Sequence, residues 1–116
     1  MEACRIINIK PGRVGGLSQG LEIHEMCRAI NMPVWCGGML ETNIGRASNL
    51  AISSLSGFTL PGDVSASDRY YKQDVTLETF TLNPDSTITV PTGPGLGVTV
   101  DEAQVKEFAF GEAVIG

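Results

Sequence analysis

The chain has 116 residues, with 13 acidic and 8 basic side chains and a net charge of -5. That length suffices for one modest domain with a core, but a complete (β/α)8 barrel typically takes about 250 residues. An acidic chain without a basic cluster lacks the footprint of a nucleic-acid binder, and no apolar run approaches the roughly 20 residues of a membrane span.

Residues 4–9 (CRIINI) form a short β-branched run that reads as a strand, stopped by Pro11 and Gly12. Residues 17–31 read as a helix. Ile23, Met26, Cys27 and Ile30 fall at i, i+3, i+4 and i+7, which predicts one buried face. Pro33 ends that helix by restricting the residue before it. Residues 33–36 (PVWC) read as a second strand, broken by Gly37 and Gly38. Thr42 is the expected N-cap of a helix over 43–55, with Ile44, Ala47, Ala51 and Leu55 as its buried stripe. Residues 57–60 (GFTL) read as a third strand, closed by Pro61, Gly62 and Asp63.

Short apolar strands alternating with helices predict parallel βαβ units with right-handed crossovers. The expected organisation is a βαβαβ part over 1–63 and a different segment over 64–116. In that second part, 64–76 is polar and irregular or a short helix. Residues 77–82 and 87–90 flank Asn83, Pro84, Asp85 and Ser86 and predict a hairpin or a pair of short strands. Asp101 is expected to cap a last helix over about 101–108. Three apolar parallel strands would leave hydrophobic edges, which soluble proteins avoid. The sequence therefore reads as a slice of an α/β barrel rather than a closed domain.

Cys4, Cys27 and Cys36 make an odd set with no CxxC, so reduced thiols in a cytoplasmic protein are expected rather than a disulfide framework or a zinc site. The start of the chain shows no basic region followed by an apolar stretch, so no signal peptide is expected. Lys10 ends the first strand, Glu41 follows the second and Asp63 follows the third. In a parallel barrel, strand-end residues of this kind face the active site. For any one of them a solvated loop charge is the ordinary alternative. His24, the sole histidine, lies mid-helix and is expected to be structural or solvated. Residues 93–97 (GPGLG) are glycine-rich, but no GK[ST] follows, so no phosphate loop is implied.

The stretch 7–16 (INIKPGRVGG) resembles the sixth-strand catalytic-lysine segment of the enolase superfamily, muconate-lactonizing subgroup. Residues 35–42 (WCGGMLET) and 60–63 (LPGD) resemble the seventh- and eighth-strand ends of its N-acylamino acid racemase / o-succinylbenzoate synthase branch. The resemblance runs to about Phe108. It implies an α/β fold: the C-terminal slice of a (β/α)8 TIM barrel, about strands 6–8, with a C-terminal segment returning to a capping domain.

It also implies roles. Lys10 would be one of two lysines flanking the substrate α-carbon. It would move a proton in racemisation, or hold the enolate by charge in the dehydrating synthase reaction. Arg13 would be a neighbouring cation that favours the neutral lysine, or else a surface charge. Gly38 would let the backbone approach the substrate amide. Leu40 and Tyr70 would line a substrate pocket or simply pack. The family's Mg2+ (or Mn2+) is held by three carboxylates on strands absent from this chain, and so is the second lysine. Glu41 and Asp63 alone do not make an octahedral site. The isolated chain is therefore expected to be inactive, with the N-terminal barrel and capping domain as missing partners, a small carboxylate as substrate, and an oligomer as the assembled form. A truncated fragment that self-associates through its strand edges remains an alternative. A dipeptide epimerase or muconate cycloisomerase remains another, although the single Asp63 departs from the Asp-x-Asp of the usual epimerase pattern.

Overall fold

The computed structural model describes residues 3–114. Two strands pair in parallel: β1 (Ile7–Ile9) and β2 (Val34–Cys36), with Ile7 opposite Val34 and Ile9 opposite Cys36. Between them run a one-turn helix α1 (Pro11–Val14) and the longer α2 (Leu17–Ala29). After β2 comes α3 (Asn43–Ser53), then a 3-10 turn at Ser67–Arg69 and a last helix α4 (Glu102–Phe108).

Local chemistry accounts for the boundaries. Pro11 occupies the first turn of α1, where its missing N–H costs nothing. Gly15, at φ 97°, closes α1 in the left-handed region and turns the chain into α2. Asn31, at φ 55°, makes the equivalent turn between α2 and β2, a conformation that asparagine tolerates better than most residues. Asp101 caps α4 by accepting the amides of Ala103 and Gln104.

Ile9, Val34 and Cys36 point to the helix side of the sheet and form the core with Cys27 and Ile52. The opposite face carries Ile6, Asn8 and Lys10, with Trp35 alongside Asn8, and no helix among the described residues lies over it. Burial differs from the expected stripes: of Ile44, Ala47, Ala51 and Leu55 only Ala47 is fully buried, beside Asn43, Arg46, Asn49, Leu50 and Ile52 of α3, and α2 differs too. Gly20, His24 and Cys27 are the buried positions, whereas Met26 and Ile30 are 71% and 66% exposed. Gly20 lets α2 approach Ile52 and Ile9 closely, and that close approach rolls Met26 and Ile30 outward. His24 is structural: its Nε2 accepts the Gly57 amide at 3.1 Å, its ring stacks on Phe58, and Nδ1 lies 3.0 Å from the Glu25 carboxylate without hydrogen-bond alignment.

The first strand is shorter than the 4–9 run, and residues 57–60 do not form a strand. The stretch from Phe58 to Asp63 makes two isolated parallel bridges, Phe58 beside Val34 in β2 and Asp63 beside Gly37 just after it. Between them Thr59 turns its amide back to Gly57, and Pro61 has no amide to donate. The expected hairpin of 77–82 with 87–90 does not form strands either. The turn itself closes, with Asn83 donating to Thr87 at 2.8 Å. The flanks diverge because Phe80, Ile88 and Val98 are drawn onto α3 with Ala47 and Leu50. Thr76 instead bridges Val100 antiparallel.

Among the described residues, 16 large apolar side chains are exposed, Leu17, Leu21, Met26 and Ile30 on α2 among them. The radius of gyration is 15.7 Å, against about 13 Å for a compact domain of this length. Both quantities describe a fold with an uncovered side.

Candidate functional site

The parallel pairing brings three segment ends to one rim. Lys10 follows β1, Gly37 and Gly38 follow β2, and Asp63 joins beside them. The three meet through the backbone of Gly38. Its carbonyl accepts Lys10 Nζ at 3.1 Å, and its amide donates to the Asp63 carbonyl at 2.6 Å. The Asp63 amide donates in turn to the Cys36 carbonyl at 2.9 Å. A Cβ at Gly38 would lie 2.1 Å from the Asp63 oxygen, so only glycine permits this approach. Lys10 is half-buried, and the Asp63 side chain is exposed.

Glu41 does not reach toward Lys10 as a free charge. Its Oε2 accepts the Met39 amide at 2.7 Å and its Oε1 accepts the Asn49 side-chain amide at 3.0 Å. It is a loop brace. Leu40 stands 67% exposed, and its carbonyl accepts the Tyr71 hydroxyl. Tyr70 is exposed and lines an open cleft of about 600 Å³ with Thr42, Tyr71 and Phe108. Arg13 lies exposed on α1 and makes no ion pair among the described residues.

Thr42 takes the N-cap backbone position of α3 but its side chain makes no cap bond. Asp74 does that work from 31 residues away, its Oδ1 accepting the Asn43 amide at 2.8 Å. Behind it lies a buried polar cluster. The Arg46 guanidinium donates to the Asn43 side-chain oxygen and to the Glu41 carbonyl, and sits 3.5 Å from Asp74 Oδ2. Asn43 also accepts from Ser67 and donates to Thr76 and to the Glu78 carbonyl. This cluster fixes both the Gly38–Glu41 loop and the segment bearing Tyr70 and Tyr71. The sequence held a signal for it: Asn43, Arg46, Asn49 and Leu50 share one helix face, and three of those four are polar.

Asn8 completes the rim, and Cys36 lies in the core behind it. Asn8 Oδ1 accepts the Gly37 amide at 2.8 Å. Burial pushes the Cys36 thiol up, with the Ser53 hydroxyl opposing it, so Cys36 serves as core rather than nucleophile.

Among the described residues no three His, Cys, Asp or Glu side chains gather in a way that would hold a metal ion. Both Glu41 oxygens are already committed to protein donors. The residues present do not fit a divalent cation.

A family model described as "Enolase C-terminal domain-like" matches residues 1–104. The chain is 53% identical over 114 residues to an N-succinylamino acid racemase from Amycolatopsis sp, covering 98% of this chain and 30% of that protein. It is 48% identical over 106 residues to an o-succinylbenzoate synthase from Bacillus subtilis (strain 168), covering 91% and 28% respectively. A solved enolase-superfamily structure from Listeria innocua Clip11262 superposes with a TM-score of 0.84 at 46% identity, over 90% of this chain and 28% of that one. The chain thus spans under a third of the length of the relatives it matches.

Proposed function

Because the chain belongs to the enolase C-terminal domain-like family, we propose that it supplies one wall of an α-proton-abstracting active site, with Lys10 as the proton-transfer lysine on that wall. The observation that carries this reading is the placement of Lys10 at the end of β1, its Nζ held at 3.1 Å by the Gly38 carbonyl beside the Asp63 backbone. A general base must sit within hydrogen-bond reach of its proton and keep a fixed approach. A backbone carbonyl on a glycine rim fixes the approach without adding a competing charge.

The reaction class is racemisation of an N-acylamino acid or the related dehydration that forms o-succinylbenzoate; both begin with removal of the proton beside a carboxylate. In the first, Lys10 takes or returns that proton on one face of the α-carbon. In the second, its ammonium faces the enolate. Gly38, Leu40 and Tyr70 would border the substrate. A divalent cation (Mg2+ or Mn2+) would supply a Lewis acid for the substrate carboxylate in the complete enzyme. Its ligands and the second lysine would come from the barrel strands and capping domain outside this chain. A cytoplasmic location, which suits three free cysteines, belongs to the same reading.

Two measurements test it. With the missing barrel part supplied, Lys10→Ala is expected to lower exchange of the α-proton of an N-succinylamino acid in D2O by about 10²–10⁴-fold, the usual worth of a positioned acid–base group. Exchange at the parental rate would remove Lys10 from the mechanism. The chain alone is expected to give no exchange with magnesium present. Native mass spectrometry separates the second reading, self-association, which the exposed apolar side chains of α2 also favour: a homo-oligomer without any larger companion chain supports it.

A further inference from the structure

We infer that Asn8 is the positioning residue of Lys10, acting through Gly37; this rests on the reading of Lys10 as the proton-transfer lysine. Asn8 and Lys10 are two apart on β1, so both side chains leave the sheet on its uncovered face. Asparagine is a poor strand former, and its placement mid-strand calls for a reason. Its Oδ1 accepts the Gly37 amide at 2.8 Å and thereby orients the peptide that leads into Gly38. The Gly38 carbonyl is the group that holds Lys10 Nζ.

A second observation joins the same three residues. A Cβ at Gly37 would lie 2.7 Å from the Asn8 amide atoms and 2.7 Å from Lys10 Cε. The missing side chain at Gly37 is therefore a notch that both side chains occupy. Asn8 closes one side of the notch and leaves the lysine a single path across it. The clamp has three points: Asn8 on the Gly37 amide, Asp63 on the Gly38 amide, and Lys10 on the Gly38 carbonyl. Removal of the first lets the dipeptide rotate and lets the lysine sweep.

The chain contains three lysines, Lys10, Lys72 and Lys106, so 13Cε-lysine labelling gives three resolvable NMR signals. In the full chain, Asn8→Ala is expected to move the Lys10 signal toward those of exposed Lys72 and Lys106. It should also speed Gly37 amide exchange about five-fold, the loss of one ordinary hydrogen bond. Asn8→Asp keeps an acceptor oxygen and should restore the Gly37 amide protection. A general structural defect would not be rescued in this way. An unchanged Lys10 signal in a folded Asn8→Ala chain overturns the inference. Where that variant does not fold, the parental chain decides: nuclear Overhauser contacts from the Lys10 ε-protons to Asn8 and Gly37 are expected, and their absence overturns it. None of these readouts needs turnover, so the clamp and the catalytic role of Lys10 fail or stand separately.

Discussion

The two halves of this molecule are held by different forces. The β1–α3 part coheres by apolar burial: Ile9, Val34, Cys36, Cys27 and Ile52 form a small close-packed core between sheet and helices. The segment after Val64 rests on α3 through Ala47, Leu50 and Phe80, but its register is set by the buried polar cluster of Asn43, Arg46, Ser67, Asp74 and Thr76. Apolar burial is tolerant of small shifts, whereas a buried, densely hydrogen-bonded polar cluster admits few arrangements. The first half can therefore serve as a scaffold, while the second delivers Tyr70, Tyr71 and the Glu41 loop to fixed positions.

The sharpest way to break this contrast is Arg46→Ala. Arg46 is 1% exposed and is the cation facing Asp74, so its removal leaves a buried carboxylate uncompensated, worth about 3–5 kcal/mol. Chemical denaturation should show that loss. Amide exchange should rise at Val75 and Phe80 while Ile9 and Cys36 stay protected. Equal loss of protection in both halves would mean that the two are one cooperative unit.

A smaller effect probes the other half. At Gly20 a Cβ would lie 2.7 Å from Ile52 Cδ1. Overpacking of this kind costs about 1–3 kcal/mol, against about 1 kcal/mol of helix propensity gained by alanine. Gly20→Ala should therefore destabilise by about 1 kcal/mol on balance. The readout is thiol labelling: burial pushes the Cys27 and Cys36 thiols up, so their reaction should be slow in the parent and faster in the variant, with Thr76 and Phe80 amides unchanged. Faster exchange in the later segment instead would show that the core, not the polar cluster, holds it.

The smallest effect is one of pH. Glu78 accepts the Thr99 amide at 2.7 Å and the Thr99 hydroxyl at 2.8 Å, and these bonds hold its carboxyl below the ordinary value of 4.5. A carboxylate with a depressed folded pKa contributes stability above its unfolded pKa and loses it as pH falls through the folded one. Acidification below about pH 4.5 should release the Thr99 amide, seen as faster exchange. Glu78→Gln should flatten that pH dependence. A persistent acid transition in the variant would assign it to another group.

The sequence was most legible where one period governed. The two strand cores, α2, α3 and α4 lie within a few residues of their expected bounds, and Asp101 caps α4 as its side chain predicts. Periodicity failed where small residues or distant polar groups decided. Gly20 carries no hydrophobic signal, yet it selects the buried face of α2. Arg46 is of a type rarely buried unless paired, and its partner Asp74 is 28 residues away. At the site, strand-end placement picked out Lys10, Glu41 and Asp63; Lys10 and Asp63 meet at the Gly38 backbone, whereas Glu41 is bonded to Met39 and Asn49. The roles of Asn8 and Glu41 were not legible, because a side-chain bond to a neighbouring strand or loop leaves no pattern along the chain.

The long span between Arg46 and Asp74 also bears on the order of synthesis. At about 5–20 residues per second, a ribosome completes Asp74 roughly 1.5–6 s after Arg46. During that interval α3 can form and pack Ile52 against Ile9 and Cys27, but the Asn43 amide lacks the carboxylate that caps it and the guanidinium lacks its counter-charge. Burial of Arg46 must wait until Asp74, Thr76 and Phe80 have been made. On a growing chain, the helix that braces the Glu41 loop is therefore complete before its own N-terminus can close.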